Sequence, residues 1–447
     1  MSLFDKYVTT VEKTDPQKFF GRVSRVQGLM IESHGPQAIL GELCQIELPT
    51  HDRWVMAEVV GLHGQTVQLM PFEEVDGLEI GCRVKAMGET LQVPVSDKLL
   101  GRVLDGLGRP IDGKGDIGSA VFYPAVSNPP DALDRQRITR KVATGVRSID
   151  ALIPLGKGQR LGIFAGSGVG KSTLLGMIAK NTNADINVVA LIGERGREVR
   201  EFIDNELGPE GLARSVIIVS TSNTPALARL RGAYVATAVA EYFRDQGKDV
   251  MLLFDSVTRF AYAQREIGLA VGEPPARQGY TPSVFSLLPK LLERAGTGPS
   301  GTITGLYTIL VDGDDMDDPI ADAVRGILDG HVVLSRRLAD AAHYPAVDVL
   351  KSVSRLANKI TSPTARQAFA ILRKHLAVYT QAEDLINAGA YAPGSNPEID
   401  LAIKKYREIR EFLVQGIDEK APWLDTLKRA AAIAGLTIGT DEEEAAG

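Results

Sequence analysis

Cysteine is nearly missing from this chain: only Cys44 and Cys82 occur among 447 residues. A secreted protein of this size ordinarily carries more, so the scarcity points to a reducing compartment and two free thiols. Long apolar runs are missing too. No stretch approaches the roughly 20 consecutive apolar residues that cross a bilayer. The opening MSLFDKYVTTVEKTD carries Asp5, Lys6, Glu12 and Lys13 and no apolar block, so it is not expected to be a signal peptide. Nor is there an excess of positive charge: 50 Lys and Arg against 56 Asp and Glu leave a formal charge of -6. That balance argues against a chain that coats nucleic acid. The expectation is a cytoplasmic protein whose membrane contact comes through partners.

What is present divides the chain. Leu3, Phe4, Tyr7, Val8 and Val11 fall on one helical face. That face either packs on its own protein or docks a partner. From Phe20 to about Lys85, short β-rich runs separated by turn residues suggest a small closed or nearly closed β-barrel. Barrels of this kind often bind oligonucleotides. This one carries more carboxylates than cations, Glu42, Glu47, Asp52, Glu58, Glu73, Glu74, Asp76 and Glu79 among them. Phosphate binding needs the opposite balance, so a structural collar is the better reading. Further on, apolar runs such as GIFAG, NVVALIGE, SVIIVST, VMLLFDS and TGLYTILVDG alternate with helical patterns. These read as parallel strands buried on both faces of an α/β domain. Beyond Thr364 only helical patterns follow, and the acidic tail TDEEEAAG reads as solvated. The expected architecture is α/β: a docking helix over 1–18, a barrel over 19–90, a P-loop core over 91–365 and a helical domain over 366–447.

The stretch GIFAGSGVGKSTLLGMIAKN carries the chemistry. It follows the pattern G-x-x-x-x-G-K-[ST], except that Ala165 stands at the first position. Glycines let successive amides of Gly166, Ser167, Gly168, Val169 and Gly170 turn inward on an anion, and the following helix aims its N-terminus at the same point. Lys171 reaches the β- and γ-phosphates, Ser172 ligates Mg²⁺, and Thr173 bonds a phosphate oxygen. A magnesium site also needs a carboxylate at the end of a nearby strand. Asp255, closing DVMLLFD, supplies it in the manner of a Walker-B strand. A water must then be aimed at the γ-phosphate. Glu194, at the end of another apolar run, is placed either to polarise that water or to pair with Arg195 or Arg197 across its loop.

Seven ordered segments go further: AGSGVGKST, ALIGERGREVREF, FDSVTRFAYAQREI, GEPPARQGY, LLERAG, DPIADAVRGILDGHVVLSR and HYPAVDVLKSVSR. Together they resemble the rotary-type ATPases of the F-type and type III export group, and within it the flagellar type III protein export ATPases. The resemblance spans roughly residues 20 to 440 and implies a RecA-like core in a homohexameric ring that hydrolyses ATP with Mg²⁺. It implies Glu194 as the residue that activates water, Arg195 beside it as a structural or γ-phosphate-sensing group, and Arg259 as the arginine that orders this region. It implies Tyr344 stacked on adenine, Tyr379 covering the other face, and Arg355 as a finger reaching a neighbour's γ-phosphate. The implied partners are a stator-like regulator at the N-terminus, chaperone–cargo complexes and an export gate at the inner membrane, with no nucleic acid. The loop GEPPARQGYTPSV departs from the family's wording around the channel. Three other jobs share this engine: an injectisome secretion ATPase, an ATP synthase catalytic subunit and an RNA translocase.

Overall fold

The computed structural model describes residues 20–49, 52–118, 121–311 and 317–438. The expected docking helix over 1–18 and the acidic tail from Thr440 lie outside the described residues. Six strands, β1 (Phe20–Gln27), β2 (Met30–His34), β3 (Glu42–Leu48), β4 (Arg53–His63), β5 (Thr66–Pro71) and β6 (Arg83–Thr90), close a barrel in the order β1-β2-β5-β4-β3-β6. Alternation drives it: Cys44 and Ile46 of β3 and Val55, Ala57 and Val59 of β4 are buried, while Gln45 and Glu47, on either side of Ile46, are not. Closure leaves no strand edge to pair with other chains. Val23, Ile31, Ile46, Val59, Leu69 and Val84 fill its interior. Burial and the neighbouring Glu42 push the Cys44 thiol up to about 12, so this sulfur is inert at neutral pH.

The barrel docks on the rest of the chain through its outer wall. Met30, Leu43, Met70 and Phe72 belong to the main hydrophobic core rather than to the barrel's own. Glu58, 2 % exposed, accepts from Arg231 of the helix Ala226–Asp245, with Nε 2.7 Å from Oε2. A buried carboxylate of this kind requires its partner, so the pair fixes where the barrel sits.

A ribbon of β7 (Gln92–Val95) and β9 (Val121–Pro124) leads into the central domain, where β8 (Val103–Asp105) takes one edge of the sheet. Here Asp112 accepts from the Arg102 guanidinium at 2.7 and 2.9 Å and from the Val103 amide at 3.1 Å. The Arg102 bonds, working against burial, hold the Asp112 carboxyl well below the usual carboxylate range. A carboxylate depressed in the folded state stabilises it above its unfolded value near 4, and the contribution is lost as pH falls through the folded one. Asp112→Asn is therefore expected to lose about 3 kcal/mol at pH 7 and to show a flatter loss of stability between pH 4 and 2, read by denaturant melts across that range.

After a second ribbon, β10 (Lys141–Val142) with β11 (Leu155–Gly156), come β12 (Arg160–Ala165), β13 (Ile186–Ile192), β14 (Ser215–Ser220), β15 (Asp249–Asp255), β16 (Gly296–Thr297), β17 (Thr302–Leu310), β18 (Gly330–Val333) and β19 (Val353–Ser354). The sheet runs β19-β18-β12-β17-β15-β13-β14-β8, with β16 beside β17. The strands from β18 to β8 are parallel, and β19 returns antiparallel. Their near-continuous apolar runs are explained by cover on both faces. Leu252 and Phe254 of β15 face the core built on the helices Ala226–Asp245 and Val257–Ala270. Met251 and Leu253 face the core shared by the helix Lys171–Asn181 and the C-terminal helices.

Those C-terminal helices are Pro363–Asn387, Pro397–Leu413 and Trp423–Ala434. The first starts slightly before the division drawn at 366, because Ser362 caps the Ala365 amide and Pro363 takes the first helical position. Arg147 joins this domain to the sheet: it donates to the Phe412 carbonyl at 2.7 Å and pairs with Glu419.

Candidate active site

Parallel strands deliver their following loops to one edge, and ligands gather there. β12 ends at Ala165, which is fully buried, and its carbonyl accepts from the Val311 amide at 3.1 Å. Ala165 continues the strand with no left-handed backbone, so the glycine of the usual pattern is not required. The bend that follows does require it: Gly168 and Gly170 take φ of 78° and 90°. Gly170 caps the helix Lys171–Asn181 without any side chain bonding its first amides. Ser167 and Ser172 are exposed, and Val169 is buried beneath them. Gly166 is buried at the start of the bend. The result is a concave set of amides over a helix N-terminus, an anion cradle.

Lys171 turns from the cradle toward two carboxylates. Its Nζ bonds Asp255 Oδ1 and lies 3.5 Å from Glu194 Oε1. Burial works against the ammonium charge, but Asp255 and Glu194 outweigh it and hold the lysine above its ordinary value. Burial and the Asp255 charge push the Glu194 carboxyl up to about 7, with Lys171 pulling the other way. A carboxylate raised toward neutrality is matched to accepting a proton near pH 7. The loop arginines are paired elsewhere. Arg195 pairs with Glu198 at 3.2 Å and Arg197 with Glu201 at 3.6 Å, so neither holds Glu194.

The remaining residues fall in different places. Arg259 packs directly under the Glu194 loop: a Cβ on Gly193 would lie 2.7 Å from the Arg259 Cβ, and its Nε is buried without a hydrogen-bond partner. The Tyr344 ring lies 3.6 Å from where a Gly170 Cβ would stand, covering the bend. Tyr379 does not share that contact. Its ring stacks on Tyr406 at 3.6 Å within the helical domain, and the Tyr344 carbonyl is met instead by the Gln415 amide at 2.9 Å. Arg195 is 76 % exposed. Arg355 is exposed just past β19, at the far edge of the sheet, and among the described residues its guanidinium donates only to the Arg325 carbonyl at 3.3 Å. Among the described residues no carboxylate pairs with it.

Four residues near this edge escaped the sequence. Arg336 donates to the Ser167 carbonyl at 2.9 Å, and Thr308 donates to Asp255 at 2.7 Å. Gln415 reaches Tyr344 as described. Glu206, on a π-helical turn over Phe202–Leu207, accepts from the Thr173 hydroxyl at 3.0 Å. Thr173, expected to bond a phosphate oxygen, donates its hydroxyl to Glu206 here. No short spacing links any of these pairs, so local pattern could not find them.

A magnesium nucleotide fits what is here. Among the described residues no side chain bonds the cradle amides, Lys171 lies between two carboxylates, and Arg259 carries a buried donor without a partner beside Glu194. Among the described residues no cluster of three or more His, Cys, Asp or Glu could hold a metal by itself. Magnesium commonly takes one or two protein oxygens and completes its shell with phosphates and water, which Ser172 and Asp255 would satisfy.

Comparison with known proteins agrees along the chain. Residues 145–354 match the ATP synthase alpha/beta family nucleotide-binding domain, residues 23–88 its beta-barrel domain, and residues 361–431 the T3SS EscN ATPase C-terminal domain. The flagellum-specific ATP synthase of Treponema pallidum is 56 % identical over 436 residues, covering 98 % of both chains. The type 3 secretion system ATPase of Xanthomonas euvesicatoria is 50 % identical, covering 93 % of this chain and 94 % of its own. The assembled ATPase EscN of enteropathogenic E. coli superposes with a TM-score of 0.88 at 44 % identity, over 93 % of this chain and 100 % of its own. The same ATPase in complex with its central stalk EscO gives a TM-score of 0.86. With barrel, P-loop core and helical domain all matched, the chain belongs to the ATP synthase alpha/beta family, in its branch of flagellum-specific and type III secretion ATPases, and is an ATPase.

Proposed function

We propose that this ATPase drives flagellar type III protein export as a homohexameric ring with the nucleotide at each boundary between copies. The single observation that carries the reading is an incomplete site. Lys171, Asp255 and Glu194 meet in one cluster, while Arg355 stands exposed at the sheet edge with, among the described residues, only a backbone partner. A cation so placed suits a neighbour's site better than its own. In this reading the amides from Gly166 to Thr173 and the Lys171 ammonium hold the phosphates. Ser172 and Asp255 hold magnesium, which when bound neutralises charge on the phosphate oxygens. Glu194 takes a proton from the attacking water, Arg259 braces its loop, and Arg355 reaches across the boundary. Tyr344 stacks on adenine. Arg195, already paired with Glu198 on the surface, is left a supporting role, and Tyr379, stacked on Tyr406, is proposed to cover the other face of the base.

The partners follow from the same family. A central stalk joins EscN in its solved complex, and a stalk-like protein is proposed here to enter the ring. Chaperone–cargo complexes, a stator-like regulator and an export gate at the inner membrane complete the set, with the ring in the cytoplasm. No described helix is long and apolar enough to cross a membrane. The injectisome reading stays as the second, since secretion ATPases match at 50 % identity against 56 % for a flagellar relative.

The ATPase rate per chain is expected to rise steeply with protein concentration, in step with ring mass measured by light scattering. A rate per chain that stays flat while the mass changes from monomer to ring would overturn the shared-site reading.

A further inference from the structure

The Asp255 carboxylate is 3 % exposed, and two donors meet on one of its oxygens. Lys171 Nζ and Thr308 Oγ1 both bond Oδ1, the hydroxyl at 2.7 Å. The lysine belongs to the phosphate loop. The threonine belongs to neither motif, and it is fully buried.

Its place follows from strand order and register. β17 lies between β12 and β15, pairing Ile163 with Thr308 on one side and Phe254 with Tyr307 on the other. The next step along both strands brings Thr308 level with Asp255. Side chains alternate between faces, and Leu306 and Leu253, two residues earlier on each strand, share the core beneath the P-loop helix. Thr308 and Asp255 therefore project toward the same side as that helix. An ionised carboxylate only accepts, so the hydroxyl must donate. Tyr307 and Ile309 point into the opposite core and cannot replace it.

We infer that Thr308 is a positioning residue for magnesium: its buried hydroxyl holds Asp255 Oδ1 in place, leaving Oδ2 to face the cation's shell. Among the described residues Oδ2 has no hydrogen bond of its own. Without the hydroxyl, the carboxylate would keep only Lys171, a flexible partner that must also serve the phosphates. The inference rests on the reading of Asp255 as the magnesium carboxylate.

The test uses the full chain and a fluorescent N-methylanthraniloyl-ADP, titrated in EDTA and then with rising Mg²⁺. Thr308→Val keeps the volume and removes the donor. It is expected to raise the Mg²⁺ concentration at half-saturation about tenfold, the lower end for one hydrogen bond to a charged group. Metal-free affinity should stay within about twofold. Thr308→Ser, which keeps the hydroxyl, should restore the wild-type midpoint. If the valine variant does not fold, Thr308→Ala is read against Thr308→Ser in the same way. An unchanged midpoint in the valine or alanine protein overturns the inference, as does a serine variant that behaves like them, or an equal loss with and without metal. Asp255→Asn separates the two levels. If it abolishes the Mg²⁺ response while Thr308→Val leaves it intact, only Thr308 is wrong; if it leaves the response intact, the Asp255 reading fails first.

Discussion

Glu194→Gln protein is expected to bind ATP with near wild-type affinity and to hydrolyse it about a thousandfold more slowly, the usual scale of a general base. Glutamine matches the carboxylate in shape but cannot take a proton. The substitution also leaves the cradle untouched, since Glu194 meets it only through Lys171 at 3.5 Å. Removing a negative charge beside Asp255 relieves the repulsion that raises the Glu194 carboxyl, so binding has no electrostatic reason to weaken. Equilibrium binding and phosphate release, measured on the same preparation, separate the two effects. Hydrolysis within a few-fold of wild type would remove Glu194 from the chemistry and return it to a structural partner of Lys171.

Arg355→Ala should cost as much or more, about 10³ to 10⁵ in rate, or roughly 4 to 7 kcal/mol of barrier. The loss should come without a loss of fold. The side chain is exposed, and its one hydrogen bond is to the Arg325 carbonyl at 3.3 Å, so its removal leaves no buried group unpaired. Thermal melting should match wild type. The decisive measurement mixes Arg355→Ala with Glu194→Gln. In mixed rings some boundaries combine the intact Glu194 of one copy with the intact Arg355 of the other, and activity should return in those alone. Rings of normal mass with no recovery would place Arg355 in its own subunit's site or outside the chemistry.

Much of this arrangement was legible in the chain because the relevant signals are local. The phosphate bend announces itself by glycines, lysine and hydroxyl in nine residues, flanked by strand and helix. The strand ending in Asp255 was visible as an apolar run with one carboxylate at its tip. Barrel and helical domain were readable from a change in periodicity. The alanine at the first P-loop position, which looked like a departure, proves to be an ordinary strand residue paired with Leu310. What local pattern left out were contacts across long separations. Tyr379 looked available for adenine, yet its stacking partner lies on another helix, and the segment that meets Tyr344 is Gln415, 71 positions away along the numbering. Thr173 matched the phosphate pattern, but a π-helical turn brings Glu206 to its hydroxyl.

By itself, then, the sequence determined the kind of machine: an ATPase with a glycine-rich bend after a strand, strands that end in carboxylates, and the order of the three domains. These depend on residue type and near spacing, which chain connectivity fixes directly. The tertiary structure alone decided which groups share a proton or a charge. It joined Lys171 to Asp255 and Glu194, gave Arg195 to Glu198 rather than to Glu194, and set Thr308 against Asp255. Those pairings arise from strand order in the sheet, where neighbours such as β15 and β17 are separated in the chain by dozens of residues, and no local pattern encodes that order.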